Sequence, residues 1–497
     1  MTGNPTVSII IIIAYFVFLS YFVFRSARMK EKTMEEYAVA GRSFNWFFVL
    51  FTIVATLLVG SMFVGWFEWA AWEGLIAQYD IIYVVGSYAV LYLLAKRVWI
   101  WGKKHDLLSQ PDFIQVRYGF KPLTIIFSIA AVVIEAPWTI MEFATLGFLA
   151  HAMTYGLISR QLATIIIVAF ILVYIYYSGM RAVIVTDLVQ GIISSVILSA
   201  GLIFIVVKLF GGFGPLFQGV YEHDPAMLTI NYGGAYTYSY WSSIIISGTL
   251  GMFAWSSMFN RIYAARSLND IKKTTWIGAI ICGIFSILVL ILAMGVSLKP
   301  DALDMGETMF FYILNSAGGP VLMAFGGIMV IAASMSLIDS VITSHGVIIS
   351  ENLVKYAKPD LTSEQRVKVS RIAIVIYVLI ALGIALMDLP NLATIAIVMY
   401  EGILQVLPPL FFGLYWKRSN KYGAFWGLVV GLVLAITLAI IFPAGFSGWA
   451  VGFTALLVNT VIHVVVSLAT KKDENVDAMF EEITSYHEEL QFGSVEE

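Results

Sequence analysis

The chain has 497 residues, of which 60% are hydrophobic and only 12% are charged, and its formal net charge is −3. Soluble proteins carry about twice that charged fraction, so these residues cannot cover a water-exposed surface and a soluble protein is excluded. The slightly acidic balance gives no basic face for nucleic acid, and the single cysteine, Cys282, excludes an intramolecular disulfide. We predict an all-α polytopic membrane protein embedded in a lipid bilayer.

Thirteen apolar stretches are long enough to cross a bilayer, which takes roughly 20 residues per helix. The first lacks the basic segment and cleavage site of a signal peptide, so we interpret it as a retained helix. The predicted spans cover residues 7–25, 45–74, 76–96, 123–155, 159–178, 182–210, 236–263, 271–296, 318–355, 367–387, 390–416, 421–442 and 447–470. They divide the chain into an N-terminal extra helix and loop (1–44), a central core (45–418), two C-terminal helices (419–472) and an acidic tail (473–497).

The basic residues predict the orientation of these spans. With the N-terminus outside, all of the 29 lysine and arginine residues except Arg160, Lys208 and Lys299 fall on the inner side. Inner loops of membrane proteins are enriched in such residues. We therefore expect a multi-pass protein of the cell membrane with an outer N-terminus, and with its N-terminal loop and its tail in the cytoplasm.

Several carboxylates fall within the predicted spans. A carboxylate in the hydrocarbon region costs about 2.5–3.5 kcal/mol on insertion scales, so its default interpretation is functional. Glu68, Glu73 and Asp80 lie toward outer ends of spans, where solvated acids in an aromatic belt are at least as good an interpretation. Glu135 and Glu142 lie deep in span four, two helical turns apart and hence on one face. For each of these two, a structural hydrogen bond to a neighbouring helix is the alternative.

Acids and hydroxyl groups also occur in spans six, nine and eleven. Asp187 lies near the start of span six, and Glu401 lies near the middle of span eleven. Ser336, Asp339 and Ser340 of span nine are spaced three and four residues apart, so their oxygen atoms share one face and suit an alkali cation or a proton. The orientation places no lysine or arginine inside the spans. We expect that these acids are protonated or meet a cation from solution.

Glycines interrupt two spans that are five apart in the chain order. Span two contains Gly60 and Gly65, and span seven contains Gly248 and Gly251. Each glycine is compatible with simple close packing of helices. Broken helices at corresponding places in two five-helix halves, however, mark the midplane site of inverted-repeat transporters.

Six segments resemble the sodium/solute symporter family in sequence and in order. They are residues 35–43 (EEYAVAGRS), 109–113 (SQPDF), 117–119 (RYG), 179–190 (GMRAVIVTDLVQ), 260–266 (NRIYAAR) and 350–353 (SENL). The resemblance covers about residues 7–440 and implies a LeuT-type fold. In that fold spans two to six are inverted relative to spans seven to eleven, and helices two and seven are broken. A binding site at the membrane midplane opens alternately to the two sides of the membrane.

The resemblance also implies sodium sites. The main site takes backbone carbonyls near Gly60 and Phe63, the carbonyl of Ala333 and the hydroxyl of Ser336, while Leu337 stands where the family has a second hydroxyl. A second site in some members lies one turn along. Here its ligands are the side chains of Asp187, Ser336, Asp339 and Ser340. Na⁺ is the favoured coupling ion, and H⁺ is the alternative.

The family's substrate pocket is lined by spans two, four, seven and eleven. The substrate-binding residues expected from it are Glu142, Ser61, Trp66, Trp255, Glu401 and Glu135. Because a carboxylate at position 142 favours a positive ligand, we predict a symporter that imports an amino acid, an amine or a polyamine. A non-transporting solute sensor is the other alternative. The histidines show no paired spacing for metal catalysis, which argues against an enzyme.

Overall fold

The structure, a computed structural model, describes residues 3–27, 33–177, 179–230, 237–390 and 392–491. Within these ranges the chain is helical, and β-pairing is limited to two isolated bridges, Phe44 with Ala265 and Phe446 with Trp449. Long apolar runs form helices because a helix satisfies its own backbone hydrogen bonds where no water is present.

Twenty-three α-helices follow one another along the residues that the structure describes. They are α1 (Pro5–Ala27), α2 (Met34–Val39), α3 (Trp46–Leu57), α4 (Gly65–Glu73), α5 (Tyr79–Lys104), α6 (Gln110–Tyr118), α7 (Lys121–Met153), α8 (Arg160–Tyr177), α9 (Met180–Ile192), α10 (Leu198–Phe210), α11 (Phe213–His223), α12 (Tyr238–Gly251), α13 (Ser256–Ala264), α14 (Leu268–Val296), α15 (Pro300–Leu303), α16 (Met309–Ile348), α17 (Lys355–Ala357), α18 (Ser363–Ala385), α19 (Leu392–Ile403), α20 (Leu407–Tyr415), α21 (Lys421–Ile441), α22 (Val451–Ala469) and α23 (Val476–Gln491). Short 3₁₀ or π turns join several of them.

Ten helical stretches of the described chain are long and apolar enough to cross a membrane, or eleven if the bent pair α12–α13 counts as one span. The protein is therefore a multi-pass membrane protein. The thirteen predicted spans also included two shorter apolar helices, Pro5–Tyr21 and Trp46–Leu57. By length and composition alone, neither of these two helices is long and apolar enough to cross a membrane.

Two of the interruptions among the described helices lie after α3 and after α12. Helix α3 ends at Leu57, and a 3₁₀ turn at Gly60–Phe63 separates it from α4. Helix α12 ends in a 3₁₀ turn at Met252–Ala254, extended backbone at Trp255 follows, and α13 then leaves at an angle of 49°. Backbone N–H and C=O groups at such interruptions are free to bind other groups.

Helix α16 lies at the centre of the molecule, where it packs against α7, α18, α9, α3 and α13. Every residue from Gly326 to Ile348 is buried. Because Ser336, Asp339 and Ser340 lie in this segment, their polar side chains find partners among the neighbouring helices or remain unpaired in the core.

The acidic tail forms helix α23, which packs against α5 and has no separate core. The ring of Phe480 lies 6.1 Å from that of Trp101, and Lys104 pairs with Glu482 at 3.3 Å. Just before the helix, Asp473 lies 3.8 Å from the buried Arg117. The last six residues, 492–497, lie outside the described part of the chain.

Candidate functional site

A cavity lies between α4, α5, α7 and α19 and encloses about 460 Å³, its opening included. Six of its lining side chains are aromatic, and Ser61 and Asp80 add a hydroxyl and a carboxylate. The lining residues are Val59, Ser61, Met62, Trp66, Trp69, Tyr79, Asp80, Tyr83, Trp138, Met141, Leu392, Ala393, Ala396, Ile397 and Tyr400. A largely apolar cleft with few polar groups is typical of a small-molecule site.

Asp80 is the carboxylate of this cavity. It lies in the first turn of α5, and only 6% of its surface is exposed. Ser286 of α14 donates a hydrogen bond to it at 2.9 Å. None of the ion pairs among the described residues involves Asp80. Of the two interpretations of this residue, the structure supports a buried acid rather than a solvated rim position, because the turn at Gly74–Gln78 joins α4 directly to α5 and brings the start of α5 to the cavity wall.

Two of the six predicted substrate-binding residues, Ser61 and Trp66, line the cavity. The indole N–H of Trp66 donates to a backbone carbonyl at 2.8 Å, which fixes the ring in the wall. Trp255 lies behind the residues that line the cavity. Its ring is 5.2 Å from that of Trp138 and stacks on Tyr400 at 6.1 Å, and both of these residues line the cavity. Trp255 therefore supports the wall and is not part of the lining.

Glu142 is fully buried and faces the break after α3, outside the lining of this cavity. Its Oε1 accepts the backbone N–H of Ser61 at 3.1 Å, and the N–H of Gly60 also faces the carboxylate. A Cβ on Gly60 would lie 1.8 Å from Oγ of Ser334 and 3.0 Å from Oε2 of Glu142. Only glycine permits this close approach.

Glu135 makes the corresponding contact at the other break. Its carboxylate accepts the backbone N–H of Ser256, the first residue of α13, at 2.7 Å and the hydroxyl of the same residue at 2.9 Å. Nε2 of the buried His345 lies 3.2 Å from its Oε2. Glu135 is therefore not part of the cavity lining either, and the hydrogen bond to a neighbouring helix is the interpretation that the structure supports.

Glu401 faces α22 and lies outside the cavity lining. The backbone N–H of Val451, the first residue of α22, faces the carboxylate. A Cβ on Gly452 would lie 2.2 Å from Cα of Glu401, so the two helices meet at this point. A carboxylate at a helix N-terminus stabilises it through the helix dipole. The neighbouring Tyr400 reaches the cavity instead.

Asp187 has a cation partner within the membrane core, contrary to prediction. The guanidinium of Arg261 on α13 lies 3.3 Å from its carboxylate, and both side chains are completely buried. Thr52 and Ser336 also donate to Asp187, the latter at 2.5 Å. Arg261 was assigned to an inner loop because it follows the apolar part of span seven. The bend between α12 and α13 directs it into the core instead.

Asp339 is the second acid of this cluster. Tyr174 of α8 donates to one of its oxygen atoms, while Oδ2 is buried without a hydrogen-bond partner. Ser340 accepts a hydrogen bond from Arg261 and donates its own proton to a backbone carbonyl of α16 at 2.8 Å. The cluster thus combines two buried aspartates with one arginine. With both acids ionised it lacks one positive charge, and an unpaired buried charge is strongly unfavourable.

The residues of the predicted main sodium site lie at one interface, between the turn after α3 and helix α16. Gly60 and Phe63 belong to the 3₁₀ turn after α3, which packs against α16, the helix that carries Ala333 and Ser336. All four residues are buried. In this structure the hydroxyl of Ser336 is directed to Asp187, so the two predicted sodium sites share this side chain.

Interrupted helices around a small cavity in a multi-pass bundle define a secondary transporter. The family follows from sequence comparison. A model of the sodium:solute symporter family matches residues 37–431, and the chain belongs to this family. The protein is accordingly a carrier and not an enzyme, with a small-molecule substrate and sodium as its coupling ion.

Individual relatives are similar along most of their length. The symporter YhjB of Bacillus subtilis is 25% identical over 486 residues, which cover 94% of this chain and 98% of the relative. The osmoregulated proline transporter OpuE of the same organism is 24% identical, with 78% and 80% covered. Among solved structures, a Na⁺-coupled sialic acid symporter in a substrate-bound outward-open state matches with a TM-score of 0.77 at 16% identity, covering 94% and 98%. At this identity the structural match shows a shared fold.

Proposed function

We propose that this carrier imports a small solute bearing an amine, which binds with its positive end in the aromatic cavity. The observation that carries the proposal is Asp80, a carboxylate that is almost completely buried in the cavity wall and forms no ion pair among the described residues. An ammonium group from solution neutralises it. Trp66, Trp69 and Tyr83 in the same wall provide ring faces, each of which contributes roughly 0.5–2 kcal/mol toward a cation.

The proposal assigns sodium to the interface of α9, α13 and α16. The ligands of one site are the side chains of Asp187, Ser336, Asp339 and Ser340. Those of the other are the carbonyls of Gly60, Phe63 and Ala333 and the shared hydroxyl of Ser336. The unpaired Oδ2 of Asp339 supports this assignment, because a monovalent cation there balances the second aspartate. Sodium binds more tightly when the cavity is open to the outside, so its binding favours that state. This difference in affinity couples the sodium gradient to the solute gradient.

The proposed architecture is the LeuT-type arrangement of two inverted five-helix halves in residues 45–418, with thirteen spans, helices two and seven broken, an outer N-terminus and a cytoplasmic C-terminus. Its support is the pair of interruptions at Gly60–Phe63 and Met252–Ala254. Both lie beside the wall of one cavity, since Ser61 lines it and Trp255 stands behind Trp138 and Tyr400.

Asp80→Asn tests the proposed function. Loss of the buried carboxylate should weaken binding of an amine substrate by about 30-fold or more, because an ammonium loses its charged partner in a desolvated site. The measurement is sodium-dependent uptake of radiolabelled amines into proteoliposomes, after a thermal-shift screen of amines, amino acids, sugars and carboxylates identifies a ligand. Uptake against a concentration gradient also distinguishes a carrier from a sensor.

Glu73→Gln is the matched control, because Glu73 is an exposed acid at the end of α4 and does not line the cavity. It should leave uptake unchanged. If Asp80→Asn bound amines as tightly as the unmodified protein, or if the screen found only neutral or anionic ligands, the proposal of an amine substrate would be wrong.

A further inference from the structure

The interruption after α3 and the interruption after α12 are each occupied by a carboxylate of the chain itself. In transporters with broken helices, backbone N–H groups at the interruption face the anionic group of the substrate. Here the N–H of Ser61 is bonded to Glu142 and that of Ser256 is bonded to Glu135, at 3.1 and 2.7 Å. The N–H groups of Ser61 and Ser256 are therefore not available to a substrate carboxylate.

The two glutamates are held firmly in these positions. They lie two turns apart on α7, so a single helix carries a carboxylate to each interruption. Glu142 is completely buried, and Gly60 has no side chain that would push it away. Glu135 accepts two hydrogen bonds from Ser256 and also contacts His345, so its displacement would leave several buried polar groups unpaired.

The cavity lies directly against the occupied interruption after α3. Ser61 contributes both the N–H that binds Glu142 and part of the cavity wall, and Met141, the neighbour of Glu142, lines the cavity as well. A solute carboxylate at Ser61 would find no free donor there. It would also approach a negative charge across a poorly screened distance, in addition to that of Asp80.

We infer that this carrier selects organic cations that lack a carboxylate, and that Glu142 is the residue that excludes amino acids. The inference rests on the proposed amine substrate and narrows it: amines and quaternary ammonium compounds are accepted, while zwitterions of the same shape are rejected. Glu142 acts here as a specificity-determining residue and does not contact the ammonium group.

The test compares ligand pairs that differ by one carboxylate. The probes are phenethylamine against phenylalanine and choline against glycine betaine, and binding is measured by thermal stabilisation and by microcalorimetry on the full-length protein in sodium buffer. We expect one cationic member to bind at least about 100-fold more tightly than its carboxylate partner. In Glu142→Gln, which lacks the charge, this ratio should fall to about tenfold, while Glu73→Gln should keep the original ratio.

The outcomes separate the inference from the proposal on which it rests. Equal affinity for both members of a pair in the unmodified protein would overturn carboxylate exclusion while leaving an amine carrier in place. An unchanged ratio in a folded Glu142→Gln protein would remove the role of Glu142. If phenylalanine or glycine betaine bound while no cationic member did, carboxylate exclusion would also be overturned. If none of the four probes bound while neutral or anionic solutes did, the amine substrate itself would be refuted. The ratio in the unmodified protein decides the question even if the variant fails to fold.

Discussion

Arg261→Met should destabilise the folded protein by about 3–5 kcal/mol, because it leaves Asp187 buried without its cation. The guanidinium is completely buried and donates to Thr52 at 3.0 and 3.2 Å and to the carbonyl of Ser257 at 3.2 Å, so these acceptors also lose a partner. Removal of both charges in the double variant Asp187→Asn/Arg261→Met should recover most of the lost stability. Unfolding monitored by tryptophan fluorescence in detergent, with increasing denaturant, measures each variant.

The control for this prediction is Arg266→Met, since the side chain of Arg266 is 61% exposed. Its buried partner Asp270 keeps hydrogen bonds from Trp46 and Ser267. Ion pairs of solvent-exposed arginine side chains contribute about 0–1 kcal/mol. Equal stability of the Arg261 and Arg266 variants would contradict a buried ion pair. Failure of the double variant to recover stability would show that Arg261 stabilises the fold through its hydrogen bonds alone.

Asp339→Asn should strongly lower the apparent affinity of transport for sodium while the protein still folds and binds its solute. The substitution keeps the size of the side chain and an acceptor for Tyr174, but it removes the charge that exceeds the single arginine of the cluster. Without this excess negative charge, the cluster binds sodium much more weakly. The concentration of sodium that gives half-maximal uptake should rise at least about tenfold, as measured by radiolabelled uptake at varied NaCl with choline or potassium as the replacement cation.

Asp301→Asn, a change at an exposed acid in α15, should leave the dependence of uptake on sodium concentration unchanged. An unaltered sodium curve for Asp339→Asn would refute the assignment of Asp339. Solute binding to this variant in the absence of transport separates a coupling defect from a damaged cavity.

The membrane class and the family were predictable from local patterns. A membrane span needs only a run of apolar residues, and the family segments are short and contiguous. Residues whose partners are distant in sequence were harder to predict. Arg261 is an example: counting basic residues at the ends of spans placed it in a loop. The glycines of span seven indicate an interruption, but they do not show the 49° bend between α12 and α13 or the contact with Asp187.

The candidate site shows the same division. The spacing of Glu135 and Glu142 predicted a shared face of α7, but their partners Ser256 and Ser61 lie 121 and 81 residues away in the chain. A buried acid was therefore assigned to the substrate when its partner was the backbone. Asp80 was missed for the opposite reason, because its position near the end of a span resembled a solvated rim. Its neighbours Tyr79 and Tyr83 were the available signal for an aromatic wall.

The central claim is that a sodium ion supplies the positive charge that the cluster of Asp187, Arg261 and Asp339 lacks. The most direct measurement is uptake of ²²Na⁺ and of labelled solute into the same proteoliposomes, for the unmodified protein and for Asp339→Asn. The account predicts solute-dependent sodium uptake of at least about one ion per solute in the unmodified protein and none in the variant. Solute accumulation without accompanying sodium entry, or equal sodium entry in both proteins, would contradict it.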